Sequence, residues 1–351
     1  KVLGELRKSE ARRTEEMRQA KDIADQANKA KSAFLAVVSH EIRTPMTGIM
    51  GMVRLLINSN LTKEQKEYAQ TIQDSSDAML ALLNDILDFE KIEQGKMAFE
   101  KISFDLHRLI NGVGSLMKGH AAQKNIDLNI KIGEKLPKYV YGDPTRLRQI
   151  LLNLTGNAVK FTSEGHVTLK VEPIGDIIDG QCEIYFGVSD SGVGISAEAQ
   201  KDLFSPFAQA NASIARKFGG TGLGLAISKG LVGGMGSTIN ISSKENEGST
   251  FFFTLNMPVG SNDDAGRRLL ETKTAETIKP LKIMIVDDNS INQKVIAGFL
   301  KTTPHTMTFI DDAQIAINRL EKESFDLILM DIEMPGLNGD EATKYIRQSN
   351  D

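Results

Sequence analysis

Residues 32–58 read SAFLAVVSHEIRTPMTGIMGMVRLLIN, and the spacing of their apolar side chains decides the first part of the fold. Phe34, Val37, Val38, Ile42, Ile49, Val53 and Leu56 fall at helical intervals and mark one amphipathic helix. The run Asn58-Ser59-Asn60 breaks the pattern, and Thr62 with Gln65 is a capping-box signature for the next helix. That helix carries Tyr68, Ile72, Ser76, Met79, Leu83, Ile86 and Phe89 and ends near Gly95. Two amphipathic helices with a short connection make a helical hairpin. A lone hairpin cannot bury both apolar stripes, so pairing with a second copy into a four-helix bundle is predicted.

Upstream, residues 1–30 are charged and helix-favouring, with Leu3, Leu6, Met17, Ala24, Ala27 and Phe34 in a weak heptad interrupted by Glu10 and Lys31. A solvated helix and a parallel coiled coil both fit, and the coiled coil is the preferred reading. Downstream, the texture changes after Phe104 to mixed α/β. Asp143-Pro144 reads as a helix start, Asp as cap and Pro in the first turn, with the helix running through Leu147, Ile150, Leu151 and Leu154 to about Phe161. Strand-like stretches follow at 166–172, 183–189 and 249–255, with glycine-rich segments between them. Residues 258–280 are polar and aperiodic and read as a linker. Lys282–Val286 is then an apolar strand, a weaker one lies near Met307–Ile310, and Phe325–Met330 is another. Their alternation with helical stretches predicts a doubly wound parallel sheet.

A chain of 351 residues has room for two or three domains. Its net charge of -4 gives no global basic surface, so nucleic acid is not an implied partner. No apolar run approaches the roughly 18 residues that span a bilayer. The chain starts with Lys and shows no signal peptide, so it reads as a cytoplasmic portion of a protein whose missing upstream part leaves room for an inner-membrane anchor. Cys182 is the only cysteine; no internal disulfide can form, and its apolar surroundings predict a buried structural thiol. The Asn-x-Ser/Thr triplets at Asn60, Asn153, Asn211 and Asn240 read as chance matches.

His40 sits in Ser39-His40-Glu41-Ile42-Arg43-Thr44-Pro45, a polar turn between apolar ones. A histidine on an apolar helix is usually structural, but this one adjoins a proline that removes a backbone donor and crowds the Glu41 carbonyl. A local defect of that kind is more easily explained at a working site. A largely neutral imidazole can attack phosphorus through one nitrogen while Glu41 accepts a hydrogen bond from the other. Thr44, at i+4, shares the face of His40 and could orient a water there.

Asn153 and Asn157 are also i, i+4 partners, in Asn153-Leu-Thr-Gly-Asn157-Ala-Val-Lys160-Phe-Thr162. Amide oxygens on one face suit Mg²⁺, and Lys160 could neutralise phosphate charge; a polar surface face explains the same pattern equally well. Asp190-Ser-Gly192-Val-Gly194 follows a strand, where the carboxylate can accept from an exocyclic amine and the glycines let the backbone turn closely. Gly219-Gly220-Thr221-Gly222-Leu223-Gly224-Leu225 opens a helix whose amides can hold a triphosphate, although it is neither a Walker motif nor a Rossmann fingerprint. Phe204-Ser-Pro-Phe207 lies between them, either as a lid or as a loop packing two aromatics. Asp287 and Asp288 end one strand and Asp331 another; three acids at one sheet edge repel unless a cation such as Mg²⁺ joins them. Asp331 is the candidate phosphoryl acceptor.

Together these segments resemble the hybrid sensor histidine kinases of two-component systems over nearly the whole chain. Ser39–Pro45 looks like their phosphoacceptor box. Asn153–Thr162, Asp190–Gly194, Phe204–Phe207 and Gly219–Leu225 look like the asparagine, first glycine, phenylalanine and second glycine boxes of their Bergerat-type ATP-binding domain. Lys282–Gly339 resembles a receiver domain. The resemblance implies a multidomain protein: a coiled-coil linker over 1–30, a dimerising hairpin over 31–95, an α/β-sandwich catalytic domain over 96–258, a linker over 259–280 and a flavodoxin-like receiver over 281–351. It implies a homodimer in which Mg-ATP phosphorylates His40. Glu41 would be general base and Thr44 would serve in dephosphorylation. Asn157 would be the principal Mg²⁺ ligand, with Asn153, Lys160, Gly192, Gly194, Gly220, Thr221, Gly222, Leu223 and Gly224 around the nucleotide and Asp190 on adenine. The phosphoryl group would pass to Asp331, in this receiver or a separate one, with Asp287 and Asp288 holding Mg²⁺, and thence to a downstream phosphotransfer protein. A family receiver continues with two more strands carrying a Ser/Thr and a Lys, so this one is expected to be incomplete. Another Bergerat-type ATPase and a catalytically silent dimeric scaffold are the competing readings. The segment 230–236 is richer in glycine than the family pattern.

Overall fold

The computed structural model describes residues 2–207, 222–261, 279–301 and 303–348. In the first helix the side chains of residues 2–12, 14, 16, 20, 22, 24, 25, 27–29, 36 and 40 lie outside the description. The heptad positions Leu3, Leu6, Ala24 and Ala27 are among these, while Met17 is exposed. The chain divides into two compact units, residues 1–83 with 273–351, and residues 84–272. Among the described residues no helix is long and apolar enough to cross a membrane.

In the first unit, α1 (Val2–Ile57) runs unbroken through Pro45. The patterns over 1–30 and 32–58 thus form one element, and within it the proline removes a single donor while helix-favouring flanks on both sides carry the helix past it. Thr47 Oγ1 donates to the Arg43 carbonyl at 2.9 Å beside the proline. The capping box forms as its residues predict: Thr62 N donates to Gln65 Oε1 at 2.9 Å and Gln65 N to Thr62 Oγ1 at 3.2 Å. They open α2 (Lys63–Glu93), which closes at Gly95, φ +63°, with Lys96 N bonded to the Lys91 carbonyl at 2.9 Å.

The same unit holds a three-stranded parallel sheet, order β10-β8-β9: β8 (Lys282–Val286), β9 (Thr306–Ile310) and β10 (Leu327–Met330). Helices α7 (Ser290–Leu300), α8 (Ala313–Leu320) and α9 (Gly339–Gln348) accompany it. Met284, Val286, Ile310, Ala316, Ile317 and Ala342 make its core. Helix α7 lies alongside α1 with the two chains running in the same direction. Ile291 faces Gly48, Val295 faces Gly51, and Leu55 faces Gly298, leaving no room for a Cβ at any of the three glycines. Ridges thus meet side-chain-free backbone, which lets the helices approach closely.

In the second unit, β2 (Asp127–Ile132), β4 (His166–Pro173), β5 (Gln181–Asp190), β7 (Gly248–Pro258) and β6 (Asn240–Lys244) form one sheet in that order. Only β2 and β4 are parallel. β1 (Ile102–Asp105) and β3 (Tyr139–Gly142) make a separate antiparallel pair. α3 (Leu106–Gln123), α4 (Pro144–Phe161) and α6 (Gly224–Gly234) pack with the inward face of the sheet, and α5 (Ala197–Asp202) is a short exposed turn. Strand periodicity sends Ile184, Phe186 and Val188 inward with their partners Leu255, Phe253 and Phe251. Phe186 and Phe253 stack with centroids 5.1 Å apart. Cys182 continues this inward row, which accounts for its burial; that burial pushes the thiol above its ordinary value.

Asp143 caps α4, its Oδ1 accepting from Thr145 N and Arg146 N, both at 3.0 Å, while Oδ2 accepts from Glu100 N at 3.0 Å. Asp143→Ala removes all three bonds, and the chemical-denaturation stability of the 84–272 unit is expected to fall by about 2 kcal/mol, more than a lone exposed cap would cost.

Candidate functional site

Helix α4 presents Asn153 and Asn157 on one face. Asn157 Nδ2 donates to Asn153 Oδ1 at 3.4 Å, and Asn153 Nδ2 donates to Ser228 Oγ on α6 at 2.8 Å. Helix α6 comes this close because residue 224 is glycine: a Cβ there would collide with Asn153 Oδ1. Lys160, one turn on, rests its ammonium 5.2 Å from the Phe161 ring centre. Burial first, then the neighbouring Lys124, lowers its pKa from the usual lysine value. Lys124 Nζ donates to the last carbonyls of α4, Val159 at 3.0 Å and Lys160 at 2.8 Å. Beside them an open cleft of about 340 Å³ runs between α3 and α4, lined by Met117, His120, Lys124, Gly156 and Lys160 among others.

At the C-terminal end of β5, Asp190 Oδ1 accepts from Gly192 N at 2.9 Å. Burial raises its pKa, opposed by hydrogen bonds from the Gly192 and Ser249 amides. Gly194 has φ +65°, and a Cβ there would run into the Lys244 carbonyl, so this turn admits only glycine without strain. Gly222 (φ +70°) accepts from Phe207 N at 3.1 Å, and Leu223 is buried just before α6. Gly219, Gly220 and Thr221 lie outside the described residues. Of the two aromatics between the glycine segments, Phe204 packs edge-on against Phe251 at 6.4 Å, beneath the Lys229 ammonium, and Phe207 is exposed at φ +60°. The structure thus brings Asn153, Asn157 and Gly224 together. Ser228 went unnoticed in the sequence; its spacing of four from Gly224, on the helix the glycine run opens, was the available signal.

In the first unit His40 lies within α1, its side chain outside the description. Ser39 beside it is buried, with its Oγ 3.5 Å from Arg43 Nη2; Glu41 is exposed and Thr44 half-buried. At the carboxyl edge of the parallel sheet, Asp287 N donates to the Ile310 carbonyl and Asp331 N to the Val286 carbonyl, which aligns the strand ends. The carboxylates of Asp287, Asp288 and Asp331 lie within 4.8 Å of one another. Burial is the main cause that raises the Asp287 pKa; bonds from Asn289 N and Asn292 Nδ2 oppose it, and Asp331 and Asp288 raise it further. A dense, part-desolvated set of hard oxygen donors fits a divalent cation such as Mg²⁺. Asn289 and Asn292 escaped sequence reading because amides two and five residues past an acid are common at any helix start.

Three family models match this chain. A His Kinase A (phospho-acceptor) domain covers residues 30–95, a histidine kinase-, DNA gyrase B- and HSP90-like ATPase domain covers 142–259, and a response regulator receiver domain covers 283–351. The sensory/regulatory protein RpfC of Xanthomonas campestris is 33% identical over 347 residues, 92% of this chain and 48% of the relative. The sensor histidine kinase AruS of Pseudomonas aeruginosa is 36% identical over 347 residues, 99% of this chain and 34% of its own. The signal transduction histidine-protein kinase BarA of Escherichia coli K12 is 36% identical over 313 residues, 89% and 33%. The crystal structure of full-length ShkA in complex with AMPPNP superposes with a TM-score of 0.54 at 25% identity, over 90% of each chain. The chain spans about half the length of RpfC and about a third of the other two curated relatives.

A phosphoacceptor hairpin, an ATP-binding α/β domain and a receiver in one chain are the parts of a two-component phosphotransfer protein. By that domain order and these relatives, the chain belongs to the hybrid sensor histidine kinases.

Two consequences follow from the site geometry. Gly224→Ala is expected to weaken ATP binding about tenfold in a fluorescence titration, the added methyl displacing Asn153. Gly233→Ala, whose methyl meets nothing within 4 Å, leaves it unchanged. The raised Asp287 value favours its protonated form in the fold, a contribution present below the ordinary carboxylate range and lost as pH rises through the raised value. Metal-free thermal unfolding of the receiver should therefore fall in temperature as pH climbs above that range, and Asp287→Asn should flatten the trend.

Proposed function

We propose that this chain is the phosphotransfer core of its protein: ATP held between α4, α6 and the β5 end phosphorylates His40, and the phosphoryl group passes to Asp331. The observation that carries the first step is the Asn153–Ser228–Gly224 approach, which joins the asparagine helix to the glycine-opened helix. In this reading Asp190 accepts from the adenine amine. Gly192, Gly194, Gly222 and Leu223, with Gly220 and Thr221, shape the backbone around the nucleotide. Lys160, its charge poorly hydrated, neutralises phosphate. Asn157 holds a Mg²⁺ ion, which when bound offsets charge on the triphosphate.

One imidazole nitrogen of His40 attacks the γ-phosphorus, and the bond to the bridging oxygen breaks to release ADP. Glu41 accepts the proton from the other nitrogen. An Asp331 carboxylate oxygen then attacks the same phosphorus, the P–N bond breaks, and the imidazole regains a proton. Asp287 and Asp288 hold a Mg²⁺ beside Asp331, offsetting carboxylate repulsion. Support for this second step comes from α7 seated parallel to α1: the contact nearest the acidic edge is Gly48–Ile291, so that edge lies towards the His40 end of α1. Thr44, on the same face as His40, orients a water for dephosphorylation.

The domains in this reading are a helical lead-in over 1–30, the hairpin over 31–95, the catalytic domain over 96–258, a linker over 259–280 and the receiver from 281. Exposed Phe34, Ile49 and Leu56 on α1 and Ile72, Met79 and Leu82 on α2 support a homodimer through the hairpin. The core acts on the cytoplasmic side, where ATP is supplied, and hands phosphate to a downstream phosphotransfer protein.

Incubation with γ-labelled ATP and Mg²⁺ tests the reading. Label should divide into an acid-labile, alkali-stable fraction on His40 and an alkali-labile fraction on Asp331. His40→Gln should lose both, and Asp331→Asn only the second. Label that survives in His40→Gln would sink the assignment, and phosphate release indifferent to that substitution would favour a plain ATPase.

A further inference from the structure

The glycine-rich segment 230–236 has no role in the nucleotide chemistry, yet helical glycines cost about 0.5–1 kcal/mol each relative to alanine. The structure gives two of them occupants. Ile92, in the last turn of α2, sits over Gly230, and Phe99, in the connector, sits over Gly234; a Cβ at either glycine would collide with its visitor. Gly230 and Gly234 are four apart and share one face of α6. Ile86, Phe89 and Met97 from the same stretch also pack against the core of the 84–272 unit.

An independent polar contact grips the other nucleotide-site helix. Asp88 Oδ2 accepts from Arg146 Nη1 and from Gln149 Nε2, each at 2.9 Å, and Arg146 Nη1 also donates to Gln149 Oε1 at 2.9 Å. The pair is largely shielded, with side-chain exposures of 22% for Arg146 and 13% for Asp88. Arg146, Gln149, Asn153 and Asn157 follow one another at helical spacing along a single stripe of α4. Glu100 N, bonded to the Asp143 cap, fastens the connector to the start of the same helix.

We propose that Asp88, Arg146 and Gln149, together with Ile92 and Phe99 on their glycine seats, form a closed joint that makes the end of α2 one rigid piece with α4 and α6. These groups are then positioning residues for phosphorylation of His40, a clause that rests on the kinase reading above. The turn at Gly95 is no pivot, because the chain is anchored to the same body on both sides of it.

A cysteine pair tests the joint directly. A Cβ on Gly230 would lie 3.4 Å from Ile92 Cβ, near the roughly 3.8 Å mean of disulfides. In a Cys182→Ser background, Ile92→Cys/Gly230→Cys should cross-link under mild oxidation. The oxidised chain should label from γ-labelled ATP within about twofold of the reduced one. Poor cross-linking, or label lost on oxidation and regained with reductant, overturns the closed joint. For the positioning role, Asp88→Ala should cut the maximal labelling rate about tenfold with ATP affinity unchanged, and Asp88→Glu should recover part of it. A full rate in Asp88→Ala overturns that role. If the parent chain takes no label at all, the kinase reading fails, and cross-linking yield alone decides whether the joint exists.

Discussion

The carboxylate of Asp143 fixes the nucleotide domain to its own connector. One oxygen closes the first turn of α4 through two amides, and the other holds the amide of Glu100. The residue is buried, at 6% exposure, and three backbone donors satisfy its carboxylate oxygens there. Everything α4 carries, from Arg146 to Lys160, inherits its azimuth from this cap. A proline at the next position pre-sets the backbone for the turn that the cap closes.

From that fixed start, α4 runs against α6, and the close approach of the two helices is set by what is missing from residue 224. Asn153 fills the space and bonds to Ser228, so the face that carries Asn157 is held from the side. Asp190 stands at the end of β5 with its ionised form disfavoured by burial and supported by two backbone amides. Such a carboxylate gains from a neutral donor that replaces lost water, which is the chemistry an amino-purine edge offers.

Most of this was legible in the chain itself where short-range chemistry decides the outcome. The Thr62–Gln65 box, the Asp143–Pro144 start and the acids that end apolar strands are local signals, and the family resemblance joined them into three domains. Strands β2 and β6 escaped because their exposed, alternating polar residues read as loop texture, and β1 and β3 because four-residue strands carry almost no periodicity. The helix across Pro45 was legible from the apolar spacing of 34–56, whereas its continuity with residues 1–30 was not, because Lys31 interrupts the weak heptad that precedes it. Glycine seats such as 230 and 234 cannot be read at all from one sequence, since the residues that occupy them lie more than a hundred positions away. Gly220 and Thr221, read as nucleotide contacts, fall outside the described residues.

The contact between α1 and α7 differs in kind from the cores on either side of it. Its three seats are bare backbone, so the visiting Ile291, Val295 and Leu55 keep their shape while the receiving surface has no rotamers to freeze. An interface of that sort carries little ordering entropy on its glycine side, and its fit is set by single methyl groups rather than by charge. It is therefore insensitive to ionic strength yet intolerant of added bulk. A receiver whose first helix carried a side chain at the position of Gly298, or bulkier ones at those of Ile291 and Val295, would be turned away by shape alone.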